Sequence, residues 1–286
     1  MHDLSPWTYY WLPIYRDTQP FEWYQTYATI SHFLDPSFLS SYNSATNMEE
    51  RDPESKYHSP NKKMEPIKDF PPKSKCRVLI VGCGSSRLGE DMLKDGWIGG
   101  IDNVDYSKVV VDQMKVRHDD ALYRKIESKL NREKVAAPSL VKFESSTSQG
   151  KEGLPKPSRA ARNKSANIHQ CQRMQFHCVD VTKPLPYPDE SFDVVVDKGT
   201  MDSILCSNGA ISNAKRMVKE CSRVLKSHGS MVVISNAAFV DRNLYFENDE
   251  KWWSGGLKEY HVPKPNVGAL LTATRSKHHY VYIASK

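Results

Sequence analysis

The sequence predicts an α/β protein built on one open sheet, parallel in its early strands and ended by an antiparallel C-terminal hairpin, with helices on both faces. Three observations carry this. Val78 to Val81 is an unbroken apolar run that stops at Gly82, the pattern of a strand buried on both faces. Gly82 and Gly84 then permit a tight turn and close approach of the backbone to a ligand. About twenty residues on, Gly100 to Asp105 is a second apolar strand ending on a carboxylate, the layout of a nucleoside site in an open sheet.

The remaining elements follow in order. Ser107 to Arg117 reads as a helix capped by Ser107, with Val110, Val111 and Met114 on one side. Met174 to Asp180 is a third strand ending on an acid. Val194 to Asp197 is a fourth, too close to the third for more than a turn of helix between them. Ala210 to Lys226 is an amphipathic helix with Ala214, Met217, Val218, Cys221, Val224 and Leu225 at helical spacing, ended by His228-Gly229. Ser230 to Ser235 is a fifth buried strand. Leu257 to Val262 and His279 to Ala284 alternate well enough to pair as antiparallel strands, which makes seven.

The 286 residues suffice for one substantial domain with additions, and 39% apolar content places part of that length outside a core. No run of eighteen apolar residues exists, so no membrane-spanning helix is expected. The N-terminus lacks the basic and apolar regions of a signal peptide. The six cysteines (76, 83, 171, 178, 206, 221) form no Cys-x-x-Cys pair and read as packed, reduced thiols of a cytoplasmic protein. The ten histidines show no metal-ligand spacing, so no metal is expected.

The net charge of +6 is local. Residues 121–173 hold twelve Lys and Arg against four Glu, while the rest holds 28 against 30. The basic stretch is an insertion at about 121–172, rich in Ser, Lys, Asn, Gly and Pro in its second half, and is expected to be disordered. It reads as a solvated loop rather than a nucleic-acid arm, although such a run could hold RNA electrostatically. Residues 43–75, with five prolines and many charges, read as a polar linker.

The glycine turn alone leaves several ligands open. A dinucleotide site prefers Gly-x-Gly-x-x-Gly, but here Ser85, Ser86, Arg87 and Leu88 separate Gly84 from Gly89. A P-loop ends in Gly-Lys-Ser/Thr, and no such triplet follows. A turn that merely caps a strand is the remaining reading of that segment. The strand ends narrow the choice. Asp105 follows the second strand, Asp180 the third, and Asp197 to Asp202 the fourth, all where such sheets bind ligands. Two successive nucleoside-reading acids without a phosphate grip suit a ligand with ribose and adenine but no pyrophosphate, as in S-adenosylmethionine. Asp105 takes the ribose hydroxyls; Asp180 or its neighbouring backbone takes the adenine amino group. One Asp at a strand end is ordinary loop chemistry. Two in register behind a glycine turn are not.

Val81 to Ser86, Val104 to Val111, Asp180 to Leu185 and Phe192 to Asp202 resemble the class I (seven-β-strand) S-adenosylmethionine-dependent methyltransferases. More narrowly, they resemble the elongation factor 1A lysine methyltransferases, and Lys198-Gly199-Thr200-Met201 followed by Asp202 is the most specific part. Tyr10-Trp11, Tyr15 and Phe21 to Tyr24 resemble that subgroup's N-terminal segments, whose aromatic residues fold over the cofactor. Ile14 departs from the subgroup, which usually has Arg there. The resemblance implies a Rossmann-like seven-strand sheet, with cofactor contacts from Trp11, Tyr15, Trp23, Gly82, Gly84, Asp105, Tyr106, Asp180, Val181 and Lys198. It also implies a division into an aromatic cofactor lid (1–42), the linker (43–75) and the methyltransferase domain (76–286). Core packing of an N-terminal helix is the plainer reading of Trp11 and Trp23.

An acceptor pocket is expected at the turn after the fourth strand. Asp202, with Asp197 beside it, is the carboxylate to orient an amine or accept its proton through water. The expected activity is S-adenosylmethionine-dependent methylation of a protein lysine, with elongation factor 1A or a similar protein as substrate by family likeness. A small-molecule methyltransferase and an inactive S-adenosylmethionine-binding scaffold are the competing functions, since a fold never fixes its acceptor. The Asn/Asp-Pro-Pro-Tyr/Phe turn common in nucleic-acid N-methyltransferases is absent: Asp197-Lys198-Gly199-Thr200 stands there.

Overall fold

The structure, a computed structural model, describes residues 20–45, 70–119, 173–246, 253, 257–265 and 276–286. Trp11, Tyr15, Ile14, the insertion at 121–172 and residues 46–69 of the linker lie outside the described residues.

Seven strands form one sheet: β1 (Val78–Val81), β2 (Ile101–Asp105), β3 (Met174–Cys178), β4 (Phe192–Lys198), β5 (Leu225–Ser235), β6 (Leu257–Pro263) and β7 (His278–Ser285). Their order is β3-β2-β1-β4-β5-β7-β6. The first five are parallel, and β7 runs antiparallel to both β5 and β6. The fold class and all seven strands are as the sequence predicts. The order reverses between β1 and β4, so the loops leaving these two strands diverge and open a crevice at their carboxyl ends.

The strands are apolar throughout because both faces are covered. Val78, Ile80, Val194, Val196, Val232 and Ile234 face one core; Leu79, Val81, Val195, Met231 and Val233 face the other. The first core is filled by α1 (Tyr27–Leu34), α2 (Pro36–Ala45), α3 (Leu88–Lys94) and α4 (108–119). The second takes the buried stripe of α6 (Ala210–Val224), Ala214, Met217, Val218, Cys221 and Val224, with Met201 of α5 (Thr200–Leu205). Ser107 Oγ accepts the amide of Val110 at 3.4 Å and so caps α4.

Some boundaries differ from the sequence reading. Helix α6 stops at Val224 rather than Lys226, because Leu225 already pairs with Phe192 and is fully buried. The register then shifts before Ser230 pairs with Val194. Lys226 turns aside to both carboxylate oxygens of Asp193, at 2.9 Å each. The expected domain boundary at 42/43 falls inside α2, and Phe70 and Lys73 tie the end of the linker to the fold, while Pro72, Ser74 and Lys75 are exposed. Phe70 packs against the first core, and Lys73 bridges Asp35 (3.1 Å) and Asp95 (2.8 Å). Of the described cysteines, Cys76, Cys83 and Cys221 are buried, while Cys178 and Cys206 are exposed. Among the described residues, no helix is long and apolar enough to cross a membrane.

Candidate active site

A crevice of about 740 Å³ opens at the carboxyl ends of β1, β2, β3 and β4. Its volume sits within the range of about 300–1,000 Å³ usual for small-molecule sites. The floor is the turn after β1. Gly82 has φ +59°, and a Cβ there would lie 2.0 Å from Thr200 Oγ1, so only glycine fits. That hydroxyl in turn donates to Val81 O at 2.9 Å, locking the start of α5 onto the glycine turn.

Asp105, at the end of β2, is almost fully buried. Its Oδ2 accepts the Gly84 amide at 2.9 Å and its Oδ1 accepts the Ser107 amide at 2.8 Å. Burial pushes its carboxyl above the usual range, against the two amides. Each oxygen keeps a lone pair for a ligand hydroxyl. Asp180 closes a short turn, with Thr182 N (2.9 Å) and Thr182 Oγ1 (2.7 Å) both donating to Oδ1. No described residue donates to its Oδ2. Tyr106, Val109 and Val181 supply apolar surface between these acids. The crevice thus offers a nucleoside two carboxylates and an apolar slot, with Lys108, Lys183 and Lys198 also in its lining.

A strap from Phe21 to Tyr24 forms the other wall. Phe21 and Trp23 line the crevice with their rings 5.1 Å apart, edge to face. Trp23 precedes α1 and is not part of a packed helix, contrary to the plainer sequence reading. The strap is pinned by polar contacts along its length. Phe21 N donates to Ser85 Oγ at 3.1 Å. Glu22 accepts Ser86 Oγ (2.7 Å), Arg87 N (2.6 Å) and Lys198 Nζ (3.0 Å). Lys198 Nζ also donates to Trp23 O at 2.9 Å. Burial pulls the Lys198 ammonium below its usual range, and Glu22 offsets part of that. Lys198 therefore lines the crevice and also latches the strap to the end of β4.

Tyr24 turns the strap away from the crevice. It has φ +63°, a conformation rare for a bulky residue, and its ring lies 3.0 Å from where a Cβ on Gly199 would stand. Its hydroxyl donates to Asp202 Oδ2 at 2.8 Å. Asp202 also accepts Asn236 N, Ser235 Oγ, and both Nε and Nη2 of Arg242, at 2.7–3.1 Å. Both catalytic candidates are thereby placed outside the crevice. Asp202, saturated by donors, ties together the strap, α5 and the loop after β5. Asp197 is fully buried and takes the amides of Thr200 (2.7 Å) and Met201 (3.0 Å), as the cap of α5. Burial raises its carboxyl to about 7. Neither carboxylate lines the crevice, and the oxygens of both are taken by internal donors.

Asp202, with Tyr24, lines a second, more open hollow of about 670 Å³ beside the crevice. Helix α5 is the partition: Thr200, Ser203 and Ile204 face the crevice, while Asp202, Leu205 and Cys206 face the hollow.

Sequence reasoning missed Glu22 and Arg117. Glu22 sits among aromatic residues that drew attention first. Arg117 donates to Ser85 O (2.8 Å) and Ser86 O (2.9 Å) and pairs with Glu90 (2.7 Å), holding the glycine loop from α4. A basic residue in the last turn of a surface helix gives no local sign of that task. The described residues hold no group of His, Cys, Asp and Glu suited to a metal.

The strap is also held from behind. Gln25 Nε2 donates to Pro263 O and to His279 Nδ1, each at 2.9 Å. The carbonyl needs a donor, which fixes the amide's orientation, so His279 Nδ1 must be unprotonated. Burial, with Lys264 adding, lowers this imidazole to about 4. A folded value below the ordinary one of about 6.5 stabilises the fold above pH ~6.5 and loses that contribution as pH falls toward 4. Thermal melts should therefore show a shallower acid decline for His279→Gln than for the parent protein; parallel profiles would remove His279 from this role.

Residues 152–233 match the family model described as "Methyltransferase domain". Over 232 residues the chain is 27% identical to the "eEF1A lysine and N-terminal methyltransferase" of Bos taurus, a match covering 80% of this chain and 21% of that protein. Over 186 residues it is 24% identical to the "EEF1A lysine methyltransferase 4" of Bos taurus, covering 62% of this chain and 52% of that one. The chain thus spans about a fifth and about half of these relatives' lengths. A SAM-dependent methyltransferase from Methanosarcina mazei aligns with a TM-score of 0.41 at 14% identity, over 74% of this chain and 93% of its own. In its strand order, its crevice and the match at residues 152–233, the chain is similar to methyltransferases that use S-adenosylmethionine.

Proposed function

We propose that the chain is a protein-lysine N-methyltransferase acting on elongation factor 1A or a similar protein. The observation that carries this is the partition formed by α5, which sets an open hollow directly beside the cofactor crevice and leaves room there for an acceptor too large to enter a closed pocket. The names of the curated relatives point to the same acceptor.

When bound, S-adenosylmethionine supplies a methyl group on a positively charged sulfur. Asp105 and Asp180 fix the nucleoside, and the glycine turn lets it sit against the backbone. The strap, latched through Lys198 and Glu22, shields the crevice from water. The task left to the protein is alignment, a contribution of up to about 7–11 kcal/mol in favourable cases. The acceptor must reach the site as a free amine. For a lysine of pKa near 10.4, that costs about 4.6 kcal/mol at pH 7. The rings of Phe21 and Trp23, which line the crevice, lower the cost by disfavouring the ammonium form. Asp105 and Asp180 are taken up by the nucleoside, and Asp197 and Asp202 by internal donors, so the proton is lost to solvent before transfer.

It follows that kcat/KM for the protein acceptor should rise about tenfold per pH unit between pH 6 and 8, following the free-amine fraction. A flat profile would point to an acceptor other than an ordinary amine. The assignment itself is tested by incubating the protein with methyl-labelled S-adenosylmethionine and either purified elongation factor 1A or cell lysate. Protease-sensitive label at the size of elongation factor 1A is expected. Label confined to nuclease-sensitive or low-mass material would overturn the reading.

A further inference from the structure

Seven large apolar side chains are exposed among the described residues, and six of them ring the two concavities. Phe21, Tyr106 and Val109 border the cofactor crevice. Ile211 (60% exposed), Val240 (74%) and Leu244 (37%) border the second hollow. Val116, on α4, lines neither. Single exposed apolar residues need no explanation, but three gathered on the rim of one concavity mark a contact surface.

We propose that this rim is the docking surface for a folded protein substrate, seating an apolar side chain that neighbours the acceptor lysine on the substrate's surface. The inference rests on the proposed lysine methylation and goes beyond it by naming what recognises the protein. The rim is carried by the first turn of α6 (Ile211) and by the loop after β5 (Val240, Leu244). The loop after β5 is bonded to Asp202 of α5 through Arg242 and Ser235, and α6 packs against α5. A substrate resting on the rim therefore lies against the same partition that the cofactor faces from the other side. The polar floor favours a protein over a small acceptor. Asp202 and Arg242 neutralise each other at 2.8 Å and all of Asp202's bonds are internal, which leaves Asp241 as the remaining charge in the hollow's lining to grip a small polar molecule. Its rim presents Ile211, Val240 and Leu244 outward, apolar area that a partner with apolar surface of its own can use.

Two measurements on the full chain test this, with purified elongation factor 1A as the probe. Ile211→Asp and Val240→Asp place charge on exposed positions, the first in the opening turn of a helix where Asp is well tolerated. Each should raise KM for elongation factor 1A about tenfold or more, with kcat and calorimetric S-adenosylmethionine affinity within twofold of the parent. A photo-crosslinking residue at position 240 should also capture elongation factor 1A, while the same residue at position 116 should not. If the parent protein methylates elongation factor 1A but both Asp variants keep its KM, or capture is equal at 240 and 116, the docking surface is wrong while the activity stands. If the parent leaves elongation factor 1A unlabelled and label appears only in low-mass material, the activity fails and the docking surface with it.

Discussion

Asp105→Asn should bind S-adenosylmethionine roughly 30- to 150-fold more weakly than the parent protein, a loss of about 2–3 kcal/mol. The carboxylate is buried, and both its oxygens already hold the turn through the amides of Gly84 and Ser107. Ribose hydroxyls would share the same oxygens, so each such bond is assisted by a full negative charge. Asn removes the charge and must also set an NH2 group against one of the two amides, which displaces the glycine turn from its ligand position. Isothermal calorimetry with the cofactor and with its demethylated product reads the effect directly, and circular dichroism confirms that the variant folds. Affinity within threefold of the parent would mean that the nucleoside is held elsewhere.

The largest stability effect is expected at Asp202. Asp202→Ala strips its partner from Arg242, whose side chain is only 12% exposed, and leaves Tyr24, Ser235 and the Asn236 amide without their acceptor. Removing one member of a buried ion pair costs about 3–5 kcal/mol, because the survivor stays buried and unpaired. Replacing both partners, as in Asp202→Ala with Arg242→Met, should recover a substantial part of the loss. Urea titration of the single and double variants checks this. A catalytic base behaves differently: its loss lowers kcat at unchanged stability, and Arg242→Met does not rescue it. Normal stability with abolished turnover in Asp202→Asn would restore the catalytic role that the geometry denies.

What the sequence made legible was what the chain arranges locally. The apolar runs at Val78–Val81 and Val194–Val196, the two glycines after the first and the acid closing the second strand at Asp105 are each set by neighbours a few residues away. Their meaning is set by strand period and turn chemistry. The strap was visible only as a cluster of aromatic residues. Its latch was not, because Glu22 and Lys198 are 176 residues apart, and Tyr24 and Asp202 are 178 apart. Asp197 shows the opposite failure. Its partners are three and four residues away, the ordinary geometry of a helix cap, yet its position at a strand end invited a catalytic reading. The end of α6 was misplaced because Leu225 suits a helical stripe and a strand equally, and only its pairing with Phe192 decides.

The hold of Gln25 on Pro263 and His279 has a consequence for biosynthesis. Residue 25 leaves the ribosome more than two hundred residues before its anchors do. Until β6 and β7 emerge and dock, the strap lacks its rear hold, although the front latch of Glu22 to Lys198 can already form. A nascent chain arrested after β5 would therefore carry a strap fastened on one side only.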